Sequence, residues 1–299
     1  MSESRVLVVG ATGQLGGVVA RKLVAAGVPV RALARNRDKL ASAVAGAELA
    51  PVDMLDVPKL IEACRGVDQI VATANNNMGK GKTSPSRIDL TAYRNLCAAA
   101  RQTGVRRLVY VSFRGVTPDT RVDIFRIKWE IEEVIRQCGM PYVMLRPTAF
   151  MDIWVDVLMA AGIRDRGVTT IFGDGTAVAN YIAVDDVAEF AVKVLARRDV
   201  VNEAVDAGGP SDISLNDLAT LVERKLGSSG RRRHISVAVM KWLPPIVRPF
   251  NELTARLMTL GHYAATQSVP FPGWKANADR FGVTPRTIEA YVDAMNLRI

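Results

Sequence analysis

The chain has 299 residues, 49% hydrophobic and 23% charged, a balance that suits one large globular domain or a core with a small lobe and excludes a disordered chain. No apolar run reaches the ~18 residues of a membrane span, and the opening MSESRVLVVG has no basic stretch before a long apolar core, so no export signal is read there. The net charge of +9 admits nucleic acid, anionic lipid or an anionic cofactor as a partner, but without zinc-finger spacing or an RNA-binding aromatic signature nucleic acid is not expected.

Residues 6–9, VLVV, read as a buried strand. They lead into Gly10-Ala11-Thr12-Gly13-Gln14-Leu15-Gly16, after which Val18, Val19, Leu23 and Val24 recur at helical spacing and Gly27 closes the segment. Strand, glycine turn and helix in that order form an anion-binding context, because the first helical N–H groups lack partners and sit at the positive end of the helix dipole. Gly10 permits the sharp exit from the strand, Gly13 lets a diphosphate approach the backbone, and Gly16 lets the helix lie close to the sheet. The spacing is GxxGxxG rather than GxGxxG.

Residues 28–34 form a second predicted strand. An acidic residue at its end would favour NAD by bonding the ribose 2′-OH. Here Arg35 stands there, followed by Asn36, Arg37 and Lys39. A guanidinium grips a phosphate with two hydrogen bonds, so NADP(H) is expected, with a solvent-facing basic loop as the alternative. Residues 49–52 read as a third strand ending in Asp53, which either accepts from the adenine amino group or serves the turn. Asp56 and Pro58 signal a helix over 58–64. Residues 69–73 form a fourth strand. The polar loop after it, Asn75-Asn76-Asn77 to Lys82, begins where a nicotinamide half would pass, around 72–75.

A helix over 89–103, a strand over 107–112, a helix over 123–137 and a strand over 142–145 follow. This alternation predicts a parallel sheet with helices on both faces. The second half is less regular. A helix is expected over 150–161, a turn at Phe172-Gly173-Asp174-Gly175, and a helix over 187–196 capped by Asp185-Asp186. A strand at 204–206, a helix over 215–226 capped by Ser214, and a last helix opened by Thr284-Pro285 complete the reading. Arg231-Arg232-Arg233, after a Gly-Ser stretch, reads as the solvated end of a loop, with a binding patch as the alternative. Cys64, Cys97 and Cys138 are odd in number and lack CxxC spacing, so they read as small core residues in a reduced, cytoplasmic setting.

One side chain breaks the pattern. In the helix over 123–137 the apolar stripe is Ile124, Ile127, Ile131, Val134 and Ile135, and Lys128 falls on that side by angle. A lysine there loses hydration unless something binds its ammonium, and desolvation lowers its pKa towards the range useful for proton transfer. The alternative is a lysine that snorkels out from the edge of the stripe.

The motifs GATGQLG, LVYVS, the helix with a lone lysine, VMLRPTAFMD, FGDG with YIAVDDVAEF, DAGGP and FGVTPRTIEAYV together resemble the NmrA-like branch of the atypical short-chain dehydrogenases, from about Arg5 to Val292. The resemblance implies a doubly wound parallel-sheet Rossmann core over 1–150, with later returns from about 173–208, and a smaller C-terminal α/β substrate lobe over 151–299. It implies that Gly10, Thr12, Gly13, Gln14 and Leu15 hold the diphosphate of NADP(H), that Arg35 meets the 2′-phosphate, and that Asp53 and Met54 meet the adenine. Ala74 and Asn75 would flank the ribose, Lys128 the nicotinamide ribose, and Phe150 the ring end. Met151, Trp154 and Tyr181 would line the substrate site, and no metal is expected.

The departures leave two functions open. Short-chain dehydrogenases of the common type use Tyr-x-x-x-Lys, whereas Ile124 stands four residues before Lys128. Isoflavone-reductase-like members work with lysine alone; regulators of the NmrA type bind dinucleotide without evident turnover. The first reading is an NADPH-dependent reductase of a small apolar carbonyl, quinone or conjugated acceptor, with Lys128 as the proton-transfer group. The second is an NADP(H)-sensing regulatory or assembly protein, working with a protein partner or as a homodimer.

Overall fold

A computed structural model describes residues 4–79, 81, 84–227 and 231–295. The expected polar-loop residues Lys80 and Lys82, and Ser228-Ser229-Gly230 ahead of the arginine run, lie outside the described residues. The chain divides into two compact units. The first comprises residues 1–120, 125–146 and 187–205; the second comprises 121–124, 147–186 and 206–299. The return to the first unit is therefore shorter than 173–208, since residues 173–186 belong to the second.

The first unit is built on β1 (Val6–Val9), β2 (Val30–Ala34), β3 (Glu48–Pro51), β4 (Gln69–Ala72), β5 (Arg107–Val111) and β6 (Tyr142–Pro147), with β10 (Glu203–Ala207) at the far edge. The strand order is β10-β6-β5-β4-β1-β2-β3, and each neighbouring pair from β6 to β3 is parallel. Val9 pairs with Leu33 on one side and Ala72 on the other. The order reverses between β1 and β4, the place where doubly wound sheets bind ligands outside the carboxyl ends of their strands. β1, β4 and β5 are buried throughout and consist mostly of aliphatic residues, as strands covered on both faces must be.

Helices α1 (Gln14–Ala25), α3 (Val57–Cys64) and α5 (Asp123–Gln137) stand as the sequence indicates, and the Asp56 carboxylate accepts the Lys59 N–H as cap of α3. Two expectations are corrected. Residues 37–43 form a helix, α2 (Arg37–Ala43), whose N-cap Asn36 accepts from the Lys39 N–H, so the basic stretch after Arg35 is not a loop. Helix α4 (Pro85–Thr103) starts four residues before Asp89, because Ser84-Pro85 supplies an extended N-cap and a proline in the first turn.

The second unit holds β7 (Ala149–Phe150), β8 (Val168–Phe172), β9 (Val178–Ile182), β11 (Ser211–Ser214) and β12 (Arg231–Ile235) in two small sheets, β11-β9-β7 and β12-β8. The helix expected over 150–161 is instead a strand residue followed by a π-helix, Asp152–Ala160, that runs on into α6 (Ala161–Arg166). Asp185 and Asp186 do not cap α7 (Val184–Ala196); they sit in its first turn, and both carboxylates engage Arg286. The Arg231–Arg233 run is strand β12, parallel to β8, rather than a loop end, and its Arg232 pairs with Glu223 on α8 (Leu215–Leu226). The last helix, α13 (Ile288–Asp293), is opened by Thr287 and not by Thr284-Pro285. Between β12 and α13 lie α9 (Val237–Trp242), α10 (Pro244–Val247), α11 (Glu252–Thr266) and α12 (Trp274–Phe281). Cys64, Cys97 and Cys138 are all free and buried.

Candidate functional site

The glycine loop is shaped by contacts that only hydrogen allows. Gly10 has φ +88°, and a Cβ there would stand 2.8 Å from the Ala74 backbone nitrogen and 2.9 Å from Thr73 Oγ1. A Cβ on Gly16 would stand 2.3 Å from the Gly10 carbonyl oxygen, so the helix seats directly against the strand end. Thr73 ties the two strands together by donating to the Val9 carbonyl at 3.0 Å. Gly13 is the N-cap of α1, with no side chain bonded to the cap and no acid in the first turn. Thr12, Gly13 and Gln14 are exposed while Ala11, Leu15 and Gly16 are buried. The result is a notch of backbone N–H groups, open to solvent and positively polarised, which suits a diphosphate in both space and charge. Leu15 supports that notch from beneath through its buried side chain.

Neighbouring elements fix the notch's surroundings. The Leu33 carbonyl accepts from the N–H groups of both Gly10 and Ala11, so the end of β2 abuts the loop. Arg35, two residues further on, is exposed, and its guanidinium makes no hydrogen bond or ion pair among the described residues. Asp53 turns one carboxylate oxygen onto the Leu55 N–H at 2.9 Å, a turn role. Met54 is a core side chain, and its carbonyl accepts from Asn95 on α4. Helix α4 also holds the loop after β4. Tyr93 Oη donates to the Ala74 carbonyl at 2.7 Å, and the buried Asp89 accepts the Asn76 N–H at 2.9 Å. Asn75 is exposed, and its Oδ1 accepts from the Asn77 N–H.

Lys128 does not snorkel. It is 6% exposed, its Nζ donates to the Val111 carbonyl at 2.9 Å, and it stands 4.8 Å from the Tyr110 ring centroid. Burial pushes its pKa down to about 8, while the carboxylates of Asp89 and Glu132 pull it back up. Glu132 is fully buried. It accepts a forked pair of hydrogen bonds from Arg146 and a further one, at 2.6 Å, from Arg136. On the adjacent strand, the buried hydroxyls of Tyr110 and Ser112 have no hydrogen-bond partner among the described residues. Around Lys128 there is therefore a buried polar cluster of Asp89, Tyr110, Glu132 and Arg146 that reading Lys128 alone overlooks. A signal was present: Glu132 is four residues after Lys128, hence on the same helix face, a second charge on an apolar side.

The expected acceptor residues lie in the second unit. Phe150 is half-buried in β7, where it pairs with Ile182 of β9. Met151 and Tyr181 are core side chains at 0% and 1% exposure, and Trp154 packs edge-on against Tyr181 and Phe172 from the π-helix. In this structure Met151 and Tyr181 present no free surface to a ligand, so of the three only Trp154, with Phe150 beside Met151 in sequence, has area to offer. Several recurring motifs prove architectural. Gly209 exchanges both backbone hydrogen bonds with the Asn180 side chain, and a Cβ on it would stand 2.2 Å from the Tyr181 carbonyl oxygen. Among the described residues no group of His, Cys, Asp and Glu is placed to hold a metal.

Comparisons with known proteins agree on this architecture. The chain is 32% identical over 290 residues to the (4-alkanoyl-5-oxo-2,5-dihydrofuran-3-yl)methyl phosphate reductase of Streptomyces griseus, covering 91% of this chain and 96% of that one. It is 25% identical to the photosystem II assembly factor Ycf39 of Synechocystis, covering 96% and 89%. Among solved structures, the NADPH-dependent quinone oxidoreductase of Escherichia coli complexed with NADPH superposes with a TM-score of 0.78 at 21% identity, over 96% of this chain and 98% of the other. Residues 2–292 match the NmrA-like family, and the chain, with its glycine notch at the switch point of a parallel sheet, belongs to that family.

Proposed function

We propose that this protein is an NADPH-dependent reductase of a small, largely apolar carbonyl, quinone or conjugated acceptor. The observation that carries the reading is Lys128, a buried ammonium whose hydrogen bond among the described residues goes to one carbonyl, in the same unit as an open dinucleotide notch. NADP(H) is the cofactor: the N–H groups of residues 12, 14 and 15 suit its diphosphate, Arg35, without a partner among the described residues, suits its 2′-phosphate, and a structural neighbour holds NADPH. Asp53 and the Met54 backbone are proposed for the adenine, and Ala74 and Asn75 for the ribose. When bound, the cofactor supplies a hydride.

The chain's own residues supply position and a proton. With one N–H given to Val111, Lys128 Nζ keeps two more donors, which suit a ribose hydroxyl or the oxygen on which negative charge grows. A pKa near 8 leaves Nζ charged at neutral pH yet able to release its proton, the match that general-acid work requires. Phe150 and Trp154 are proposed to face the acceptor, with Met151 and Tyr181 packed behind them. Stopped-flow NADPH oxidation against a panel of quinones and enones tests the reading. Turnover that depends on Lys128 is expected; tight NADPH binding with no turnover on any acceptor would overturn it.

That last result would favour a second reading, a dinucleotide sensor or assembly protein. The observation behind it is Ile124, which leaves no tyrosine four residues before the lysine. Its own test is a protein partner whose affinity changes with the NADP/NADPH ratio.

A further inference from the structure

Residues 237–250 of the second unit carry apolar side chains on both faces. Met240 and Pro244 point inward and are buried. Outward stand Trp242 at 69% exposure, Ile246 at 64% and Phe250 at 90%, with Val239 and Leu243 also exposed. The trace is nearly continuous helix: the N–H groups of Leu243, Val247 and Asn251 donate to the carbonyls of Val239, Leu243 and Val247. Trp242, Ile246 and Phe250 are four residues apart, so they follow one stripe. A helix with apolar side chains on its outer as well as its buried side suits a place where both sides are dry, and monomers in water rarely leave such a stripe uncovered.

The charge around the stripe says what covers it. Between Glu223 and Glu252 the sequence has seven lysines and arginines and no acid. Glu223 answers Arg232, and Asp123 answers Arg248. Arg231, Arg233 and Lys241 have no carboxylate partner among the described residues, and Lys241 Nζ lies 4.9 Å from the Trp242 ring centroid. A second copy of the chain docked through this stripe would bring two cationic surfaces together, which is repulsive. An anionic bilayer interface meets every feature. Tryptophan and phenylalanine favour headgroup depth, lysine and arginine reach anionic lipid, and a short helix interrupted by Pro244-Pro245 can lie in the plane without spanning.

We propose that residues 237–250 form a docking surface for an anionic phospholipid bilayer, with Trp242, Ile246 and Phe250 entering the interface and Lys241, Arg231 and Arg233 meeting the headgroups. This surface is independent of dinucleotide binding, and its test involves no nucleotide. The full chain is sedimented with vesicles of phosphatidylcholine alone and of phosphatidylcholine with about one third phosphatidylglycerol. Binding to the anionic vesicles is expected to be at least about tenfold tighter than to the neutral ones and to weaken with salt. Trp242 fluorescence should shift to the blue on binding, and that shift should vanish in Trp242→Phe. The Trp242→Ser, Phe250→Ser double variant changes only exposed side chains; circular dichroism checks its fold, and its binding should fall at least about tenfold. Failure to bind anionic vesicles, equal binding to both vesicle types, or full binding by the double variant would each overturn the proposal. So would self-association that the double variant abolishes in the absence of vesicle binding, which would assign the stripe to a second copy.

Discussion

Two buried polar side chains, one in each unit, are held in opposite ways. In the second unit Asn180, 1% exposed, matches both the N–H and the C=O of Gly209, donates to Asp212 and accepts from Thr148. In the first unit Lys128 has, among the described residues, one carbonyl for three N–H donors, and the nearby Tyr110 and Ser112 hydroxyls have no partner among them. A fully satisfied polar group fixes a fold, while an under-satisfied one in a dry place is held ready for something else. In the proposed reductase Lys128 therefore serves the chemistry and Asn180 the scaffold, and substitutions at the two should differ in kind.

Lys128→Met is the sharpest way to break that contrast. Turnover should fall ~10²–10⁴-fold, the span that positioned proton transfer contributes. Stability should move the other way. Folding lowers the lysine pKa from 10.5 to about 8, so the unfolded chain binds more protons between those values and stability rises with pH across that window. Below pH 8 the wild type bears the whole penalty, about 3 kcal/mol from the size of the shift, offset by roughly 1 kcal/mol for the Val111 hydrogen bond. Urea unfolding at neutral pH should find the methionine variant more stable by ~2 kcal/mol, with the gain gone by pH 10.5. A variant less stable at neutral pH would make Lys128 a structural residue like Asn180.

Glu132→Ala should cost about 3 kcal/mol in the same assay, because it removes the buried carboxylate that Arg146 and Arg136 both bind, although Arg136 keeps its pair with Glu133. It should also carry the pH–rate profile to lower pH, since Glu132 is one of two carboxylates holding the lysine charged. In the second unit Asn180→Ala leaves the Gly209 amide and carbonyl unpaired, for a loss of ~2 kcal/mol. Hydrogen exchange should locate that loss around β9 and β11, with the affinity for NADPH unchanged.

The same contrast explains what could be read from the sequence. The first unit was legible because a parallel sheet covered on both faces must be continuously apolar, and β1 and β2 are followed directly by the glycine and the arginine that mark their turns. Helix α5 was legible to the residue, since its stripe is regular and Gly139 follows. In the second unit α8 and its Ser214 cap were equally legible, but the sheets were not, because their short strands pair across long sequence distances, as Val178 with Ser214 does, and no local period records such pairing. Asp185 and Asp186 look like caps until Arg286, a hundred residues later, claims them. At the site, Lys128 betrayed itself by angle, whereas the carboxylates that tune it come from two helices and only Glu132 shares its face.

The smallest effect tests the most local inference. Arg35 is exposed and has no partner among the described residues, and Arg37, two residues on in the first turn of α2, is likewise exposed and without a partner among them. Either guanidinium could meet a 2′-phosphate by charge; only one stands directly at the end of β2, beside the carbonyl that anchors the glycine loop. Calorimetry should find that Arg35→Ala weakens NADPH by roughly tenfold, leaves NADH unchanged, and loses much of its effect in high salt, because an exposed charge pair is screened. Arg37→Ala should change the ratio of NADPH to NADH affinity by about twofold or less. If the two variants exchange roles, selection for the phosphate belongs to the helix rather than to the strand end, and the register of the cofactor along β2 shifts by two residues. If neither changes the ratio, the basic stretch is a solvated surface and the 2′-phosphate is not what the site distinguishes.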